Sequence, residues 1–395
     1  MSLQSATPPA GARPRTLALL LTIATAYIAV TLNIQGFIAM LPLVQGEFGI
    51  SRTQAGLYSS FYFLSATIVA MGVGRVVDHL GPRLGLLIGC TAVGGMLLHG
   101  LMPGFGAILG LAFVTGVGFS LVTPSVNGGV ILNVPGHKRA ASMGLAHGVG
   151  GTGALVGTML LPAVGERVGW RPVIVASGVF AIVIGLFISI AYERFHGEPG
   201  HGNQTPGRDP GTEGGTGTTD ADGASDRKPA EAAQGVHAGA SGGAGMTPPA
   251  DGTQFSFGQL VLRLVSQPSF LAAGLMGIAF GMSVGSITGH FAIFMNQDLG
   301  YSPTIAGIGL GAFHVGGVLG QPSWGVINDR LYRGRRHAGL LTLSLLTATT
   351  SLVFGLVIAR GGTPLAVIIV LAFLLGFFVL GTPSLYFTTV SEIAP

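Results

Sequence analysis

The chain has 395 residues, of which 49% are hydrophobic and only 9% are charged. Soluble globular proteins carry about 25% charged residues, so this composition excludes a soluble enzyme and a nucleic-acid-binding domain. The net charge of +4 does not indicate a nucleic-acid partner, because the basic residues lie between long apolar runs. A single cysteine excludes a disulfide framework and a multi-cysteine metal site, so we expect no metal and no cofactor.

Long apolar runs dominate the chain in sequence order. A helix that crosses a bilayer needs about 20 mostly apolar residues. Ten runs reach this length, and together they predict an all-α, integral multi-pass membrane protein. The predicted spans are residues 17–41, 53–74, 84–102, 107–132, 141–163, 170–192, 269–293, 303–327, 338–358 and 364–390.

The loops between the runs differ in their content of basic residues. With the N-terminus in the cytoplasm, 15 of the 19 lysine and arginine residues fall on the cytoplasmic side and 4 on the outer side. Basic residues are enriched in cytoplasmic loops of membrane proteins. The sequence therefore predicts a cell (inner) membrane protein with a cytoplasmic N-terminal tail, residues 1–16.

Residues 193–258 differ in kind from the rest of the chain. They are rich in Gly, Ser, Thr, Pro and Asp and contain almost no large apolar side chains. Such a segment cannot bury enough surface to offset its ordering entropy, which predicts a disordered cytoplasmic linker. It separates an N-terminal half of six helices, residues 17–192, from a C-terminal half with four helices present, residues 259–395.

The two halves contain an internal repeat. Residues 50–80 align without gaps to residues 301–331, with Thr-x-Ala-Gly at the start and Gly-x-x-x-Asp near the end of both copies. A Thr-Pro-Ser motif occurs in the fourth span, around Pro124, and in the tenth, around Pro383. The period is six spans, so the halves have parallel topology, an architecture of secondary transporters with the site between the halves.

The loop between the second and third spans reads GRVVDHLGPR at residues 74–83. This resembles the signature loop of the major facilitator superfamily (MFS), and a looser copy follows the eighth span at residues 325–336. The resemblance implies an MFS-type helical bundle of two parallel-repeat halves. It also implies that the loops gate alternating access, and the alternative is a solvated charge cluster that only fixes topology. By its chemistry, Asp78 can cap a helix start and pair with Arg83 or with a neighbouring backbone amide. The predicted gating residues are Gly74, Asp78, Gly81, Arg83, Gly325, Asp329 and Arg330.

The sequence also departs from the pattern of that superfamily. A full member has twelve spans, so we expect a copy truncated before the last two. Proton-coupled drug exporters of the superfamily carry an arginine where this chain has Ala112, and organic-anion symporters often carry one where it has Thr31. Neither subfamily is indicated by these positions.

Polar residues inside the spans are the candidates for substrate contact. No Asp, Glu, Lys or Arg lies in the middle of a predicted span, where such residues usually mark ion coupling or charged substrates. A histidine there can carry a proton, bond to substrate or satisfy a backbone carbonyl. Pro124 and Pro383 mark either helix breaks at a site or kinks relieved by neighbouring hydroxyls. The predicted cavity residues are Asn33, Gln35, Tyr62, Ser120, Thr123, Asn127, His147, His314, Gln321 and Tyr386.

These features predict a secondary active transporter for a small organic solute, an organic acid or similar metabolite, with a proton as candidate coupling ion and lipid as its surroundings. The alternatives are a multidrug efflux transporter and a truncated, non-transporting relative. The spans contain no carboxylate pair and no His/Cys cluster, so we predict no catalytic residues and no enzyme activity.

Overall fold

The computed structural model describes residues 12–134, 136–195, 266–333 and 335–393. Most of the predicted linker, residues 193–258, and residues 1–11 of the predicted N-terminal tail lie outside these ranges. The remainder of that tail begins the first helix, which starts at Ala12.

The described residues form α-helices and one 3-10 helix, without a β-strand in the described ranges. The helices are α1 (Ala12–Ala39), α2 (Leu41–Phe48), α3 (Arg52–Gly94), the 3-10 helix (Gly95–Leu101), α4 (Phe105–Asn133), α5 (Gly136–Val168), α6 (Trp170–Phe195), α7 (Pro268–Gln297), α8 (Pro303–Leu331), α9 (Arg336–Ala359), α10 (Leu365–Val379) and α11 (Thr382–Ile393).

Nine helical segments within the described ranges are long and apolar enough to cross a membrane, one fewer than the ten predicted. The difference lies in α3, where the candidate is Gly72–Leu101 and the second predicted span, residues 53–74, has no candidate of its own. Gly81 interrupts α3 with φ 77° and ψ 159°, a conformation that only glycine adopts without strain. The parts of α3 before and after Gly81 both pack against α4, the first at Ser65 and the second at Gly89. The two parts of α3 therefore lie side by side.

The repeat predicted from the sequence has matching local geometry in the two halves. Gly49 and Gly300 both end a turn in the left-handed region, with φ of 62° and 70°. Two residues later, Ser51 and Ser302 cap the next helix, each side chain accepting a bond from a backbone amide three residues on. Each pair is separated by 251 positions, the spacing that the sequence alignment gave.

The largest buried apolar clusters lie mainly in one half each. The first contains Phe37, Tyr58 and Ile174, from α1, α3 and α6. A second cluster, in the C-terminal half, includes Phe313 and Leu375, from α8 and α10. Many other apolar side chains in the described helices are exposed, as expected where lipid is the solvent.

The two predicted helix breaks have different outcomes. Helix α4 runs through Pro124 without interruption, which agrees with the second of the two predicted alternatives, a proline accommodated by neighbouring hydroxyls, and not with a break. Ser120 and Ser125 flank the proline, and their hydroxyls donate to carbonyls of the preceding turn at 2.7 and 2.6 Å. Such local bonds accommodate a proline in a membrane helix. In the second half α10 ends before residue 380, and α11 begins one residue before Pro383.

Candidate functional site

The two halves are joined by polar contacts at one end of the molecule. Arg52 forms an ion pair with Asp298, Nη1 to Oδ1 at 2.6 Å, and its Nε donates to Gln297 Oε1 at 2.6 Å. Gln297 Nε2 in turn donates to Gln45 Oε1 at 2.9 Å. We call this the closed end, and its contacts tie α2 and α3 of the first half to the end of α7.

A second contact at the closed end joins α5 to α8. The backbone amide of Thr304 donates to Glu166 Oε1 at 3.0 Å, and its hydroxyl donates to Oε2 at 2.5 Å. A carboxylate at a helix N-terminus satisfies orphan amides and interacts favourably with the helix dipole. Glu166 of the first half therefore stabilises the first turn of α8 in the second half.

Helices α3 and α7 diverge with distance from the closed end. A Cβ atom built on Gly289 would lie 2.9 Å from Ser59 Oγ, and one on Gly285 would lie 3.7 Å from the Phe63 ring. One more turn along α7, a Cβ on Gly281 would meet no described atom within 4 Å. The halves are therefore packed together at the closed end and separate along this helix pair.

Polar and aromatic side chains of α1, α4 and α5 meet inside the first half. His147 Nε2 lies 2.9 Å from Asn127 Oδ1. The Tyr27 ring packs edge-on against His147, with centroids 5.2 Å apart, and stacks on Phe119 at 6.4 Å. All four side chains are half-buried. We call these four residues the first-half cluster.

The structure brings other predicted residues close to this cluster. Thr123 is half-buried and its hydroxyl lies beside that of Tyr27. Tyr62 is 2% exposed, and its ring contacts Phe119 at 5.7 Å, so it forms the inner wall of the cluster. The buried Ser120 hydroxyl, by contrast, donates to its own helix backbone.

The two amides of α1 lie on different faces, as their spacing predicts. Asn33 is fully buried on the face that carries Phe37, which packs against Tyr58 and Trp170 in the first-half core. Its Nδ2 donates to the backbone of its own helix at 2.9 Å. The structure therefore places Asn33 in the core, away from the cluster. Gln35 is half-buried, and its Oε1 has no partner among the described residues.

His314 and Gln321 share one face of α8. His314 is 5% exposed and its Nε2 has no partner among the described residues. It lies between Gly311, which packs on α5 through Met159, and Val318, which packs on α5 at Gly151. The half-buried Gln321 follows two turns after His314, so both belong to the α8 face that is turned towards α5.

Tyr386 lies in α11 and is tied to α7. Its hydroxyl donates to the carbonyl oxygen of Ala273 at 3.2 Å, and its ring covers Gly277. Tyr386 thus packs against α7 within the second half, whereas His147 and Asn127 lie in the first half. Within the described residues, no group of three His, Cys, Asp or Glu side chains has the arrangement of a metal site.

Comparison with known proteins identifies the family. The sequence model of the Major Facilitator Superfamily matches residues 23–395. The chain belongs to the Major Facilitator Superfamily. This establishes the predicted MFS-type bundle and an integral multi-pass membrane protein of a transporter family.

Individual relatives match shorter stretches. The chain is 30% identical over 152 residues to the multidrug resistance protein MdtG of Yersinia enterocolitica, covering 36% of each chain. It is 26% identical over 151 residues to the D-galactonate transporter of Escherichia coli, covering 38% of this chain and 35% of that one. The chain thus matches about a third of the length of these two curated relatives.

A solved structure shares the fold. It is a bacterial homologue of the human lysosomal transporter Spinster, in an inward-facing and unoccupied conformation. The TM-score is 0.53 at 18% identity, and the match covers 98% of this chain and 79% of that chain.

The MFS signature loop makes a different ion pair from the one predicted. Arg83 pairs with Glu193, and its Nε donates to the Ser189 carbonyl at 3.0 Å. Of the roles predicted for Asp78, the pairing with Arg83 is therefore not observed. The reversal at Gly81 directs Arg83 to the end of α6, while Asp78 stays exposed.

The second signature loop also forms its ion pair within its own half. Asp329 pairs with Arg336 at 3.5 Å, from the end of α8 to the start of α9. Of the other predicted gating residues, Gly74 and Arg330 are exposed and Gly325 is half-buried. A Cβ on either Gly74 or Gly325 would meet no described atom within 4 Å, so neither glycine lies at a close helix contact in this conformation.

Tyr27 is the one residue of the first-half cluster with a polar tip that the sequence analysis missed. It precedes Gln35 by eight residues, so the two lie on one face of α1. Between them, the Thr31 hydroxyl donates to the Gly150 carbonyl of α5 at 2.7 Å. The spacing of these three residues was the sequence signal for a polar face of α1 turned towards α5.

Proposed function

We propose that this MFS protein is a secondary active transporter that moves a small organic solute across the inner membrane by alternating access. The observation that carries the proposal is the arrangement of the two halves. They are tied together at the closed end, while α3 and α7 separate away from it. A site between the halves that is closed on one side is what alternating access requires.

The orientation of the proposed cycle follows from the basic residues. With the N-terminus in the cytoplasm, Arg52 and Glu166 lie on the outer side of the membrane. The closed end then seals the outer side, and solute is released to or taken from the cytoplasm in this conformation. The signature loops at Gly81 and Asp329 lie on the cytoplasmic side and form the proposed inner gate.

The chemistry of the first-half cluster favours an organic acid or similar metabolite as the solute. Asn127, His147 and Thr123 offer hydrogen bonds, and Tyr27 and Phe119 offer aromatic surface to a carbon skeleton. We propose Gln35, Tyr62, His314, Gln321 and Tyr386 as further lining residues. Polar groups in this arrangement bind hydroxyl and carboxyl groups by hydrogen bonds rather than by an arginine clamp.

The alternative solute class is the cationic drug. It is favoured by the likeness to MdtG and by the aromatic rings of the cluster, whose faces attract cations. The absence of an acidic side chain from the middle of the predicted spans weighs against it. The organic acid therefore remains the leading proposal.

Reconstitution into liposomes tests both classes. We expect uptake of radiolabelled D-galactonate or another acid from a panel of sugar acids and short carboxylic acids, driven by a pH gradient. Asn127→Ala should reduce this uptake at least tenfold, while Asn133→Ala, on the same helix outside the cluster, should not. Efflux of ethidium instead would support the drug alternative. No flux above protein-free liposomes for any of these probes would support a non-transporting relative.

A further inference from the structure

A coupling proton needs a titratable group near the middle of the membrane. Near neutral pH the imidazole ring is the side chain suited to this role. His147 and His314 lie well inside α5 and α8. His99 lies in the last turn of the 3-10 helix, beside the Gly100 carbonyl that accepts a bond from Arg171 Nη1. Their surroundings differ, and the differences single out one of the three.

His99 and His314 are enclosed. His99 is fully buried in the first-half core, against the rings of Phe37 and Tyr58. His314 is 95% enclosed on the α8 face that packs on α5, and its Nε2 has no hydrogen-bond partner among the described residues. His99 Nε2 lies 3.4 Å from the Tyr58 hydroxyl, and its Nδ1 has no partner among the described residues. A proton added to His99 or His314 would therefore place an imidazolium in mostly apolar surroundings, which is costly.

His147 differs in both access and partners. It is half-buried, and its Nε2 lies 2.9 Å from Asn127 Oδ1. An amide oxygen only accepts hydrogen bonds, so Nε2 carries the hydrogen and Nδ1 keeps its lone pair. Proton uptake at Nδ1 turns the existing bond into a charge-assisted one, which is about twice as strong. Tyr27 packs against the ring at 5.2 Å and fixes its orientation.

The elements around His147 carry few charges. Helix α1 contributes Tyr27, α4 contributes Asn127, and α8 presents His314 on its face towards α5. On α5 itself, Lys138 and Arg139 precede His147 by nine and eight residues, roughly 12–14 Å along a helix. No carboxylate lies in the described middle of these helices, so the group that faces Nε2 is the neutral Asn127 amide, through the negative end of its dipole.

We propose that His147 is the residue that binds the coupling proton, with Asn127 and Tyr27 as positioning residues. The inference rests on the proposed transport function. A proton from the aqueous cavity adds to Nδ1, forming the imidazolium without any change in bonding elsewhere. After the halves rock, the same nitrogen releases the proton to the other side. The site is thus loaded by H⁺ alone, and the solute binds beside it.

Nuclear magnetic resonance of the full chain tests proton binding directly. The protein is labelled with ¹⁵N-histidine in nanodiscs, and the His147 signals are identified by their loss in His147→Gln. We expect the Nε2–H tautomer at pH 8.5 and the imidazolium at pH 5. Asn127→Leu should give a mixture of both neutral tautomers, and Asn127→Gln should restore the Nε2–H form. Signals of His147 that stay unchanged over this range while those of His314 titrate would overturn the proposal.

Flux measurements separate this inference from the proposed function. Liposomes carry a trapped pH indicator, and D-galactonate is added under an imposed pH gradient. We expect gradient-driven flux to fall at least tenfold in His147→Gln and the residual flux to ignore the gradient. His99→Gln, in the sealed core, serves as the matched control and should keep the gradient response. Gradient-driven flux that survives in His147→Gln overturns the inference, whereas absence of flux of all panel solutes in the wild type overturns the transport proposal.

Discussion

At the scale of single residues, the membrane interior makes every polar atom consequential. A buried donor or acceptor without a partner costs about 1–3 kcal/mol. His147 and Asn127 satisfy each other, and the hydroxyls of Ser120 and Ser125 donate to their own helix. The Oε1 of Gln35 and the Oδ1 of Asn33 are both buried without a partner among the described residues, but only Gln35 lies on the α1 face that carries Tyr27. Such an acceptor is a cost to stability that a bound solute can offset.

We therefore expect Gln35→Leu to raise stability and lower transport. Removing the unpaired amide should stabilise the protein by about 1 kcal/mol, measured as a higher midpoint of thermal unfolding from tryptophan fluorescence. Uptake in liposomes should fall, because the solute loses a hydrogen-bond partner. Asn33→Leu, on the opposite face of α1, is the matched control and should keep uptake. Loss of uptake in Asn33→Leu with full uptake in Gln35→Leu would contradict the placement of the two amides.

At the scale of helices, close approach between small residues holds the first half together. Helices α1 and α5 touch along their backbones, with the carbonyl of Ile28 and the side chain of Thr31 against Gly153. Packing through small residues is the usual means of helix association where lipid removes the hydrophobic driving force. The position of the first-half cluster depends on this contact, because Tyr27 reaches His147 from α1 across the same interface.

A methyl group at this interface should separate the two helices. Gly153→Ala places a Cβ against backbone atoms of α1 that cannot move aside, so we expect a loss of about 1–3 kcal/mol. Gly148→Ala on the same helix is the control, since a Cβ there would meet no described atom within 4 Å. Thermal unfolding in detergent measures both. Equal midpoints for the two variants would show that α1 and α5 are less closely packed than described.

At the scale of the whole molecule, the closed end holds the two halves in one relative position. Each half contributes an equivalent turn to this end, and the turns share a bond from a side-chain amide to a carbonyl five residues on. The bonds run from Gln45 Nε2 to the Ile50 oxygen and from Asn296 Nδ2 to the Tyr301 oxygen. Two copies of one turn thus frame the contact made by Arg52, and the proposed alternating access requires this contact to break when the molecule opens on this side.

Removing the arginine should shift the molecule towards the state that is open at this end. Exposed ion pairs contribute about 0–1 kcal/mol each, so Arg52→Gln should change the equilibrium roughly fivefold. The reporter is Ser59→Cys, a 3% exposed position at the α3–α7 contact, in a Cys90→Ser background without other cysteines. Maleimide labelling should be about five times faster in Arg52→Gln. Arg360→Gln is the charge-matched control, and an equal rate in all three backgrounds would show that the contact does not hold the closed end.

The orientation in the membrane is also a property of the whole chain. Alkaline phosphatase is active only when it is fused to a segment on the outer side. We expect an active fusion after Gly300, at the closed end, and an inactive one after Gly136. Green fluorescent protein fused at the same two points should give the reverse pattern. Activity after Gly136 and none after Gly300 would place the N-terminus outside.

The sequence by itself determined the class of the protein. Spans, halves and the six-span repeat follow from hydropathy and from residue order, because a bilayer imposes length and polarity on each helix separately. The polar residues of α4 and α5 could be chosen in the same way, since charged and amide side chains are rare in membrane helices.

Tertiary structure decided which of these residues belong together. Asn33 lies in the core and Tyr27 joins His147, because the rotation of α1 is set by its packing against α5. Arg83 pairs with Glu193 because Gly81 turns the chain towards α6. Helix rotation and chain reversal depend on contacts between residues far apart in sequence, which local patterns of hydropathy do not encode.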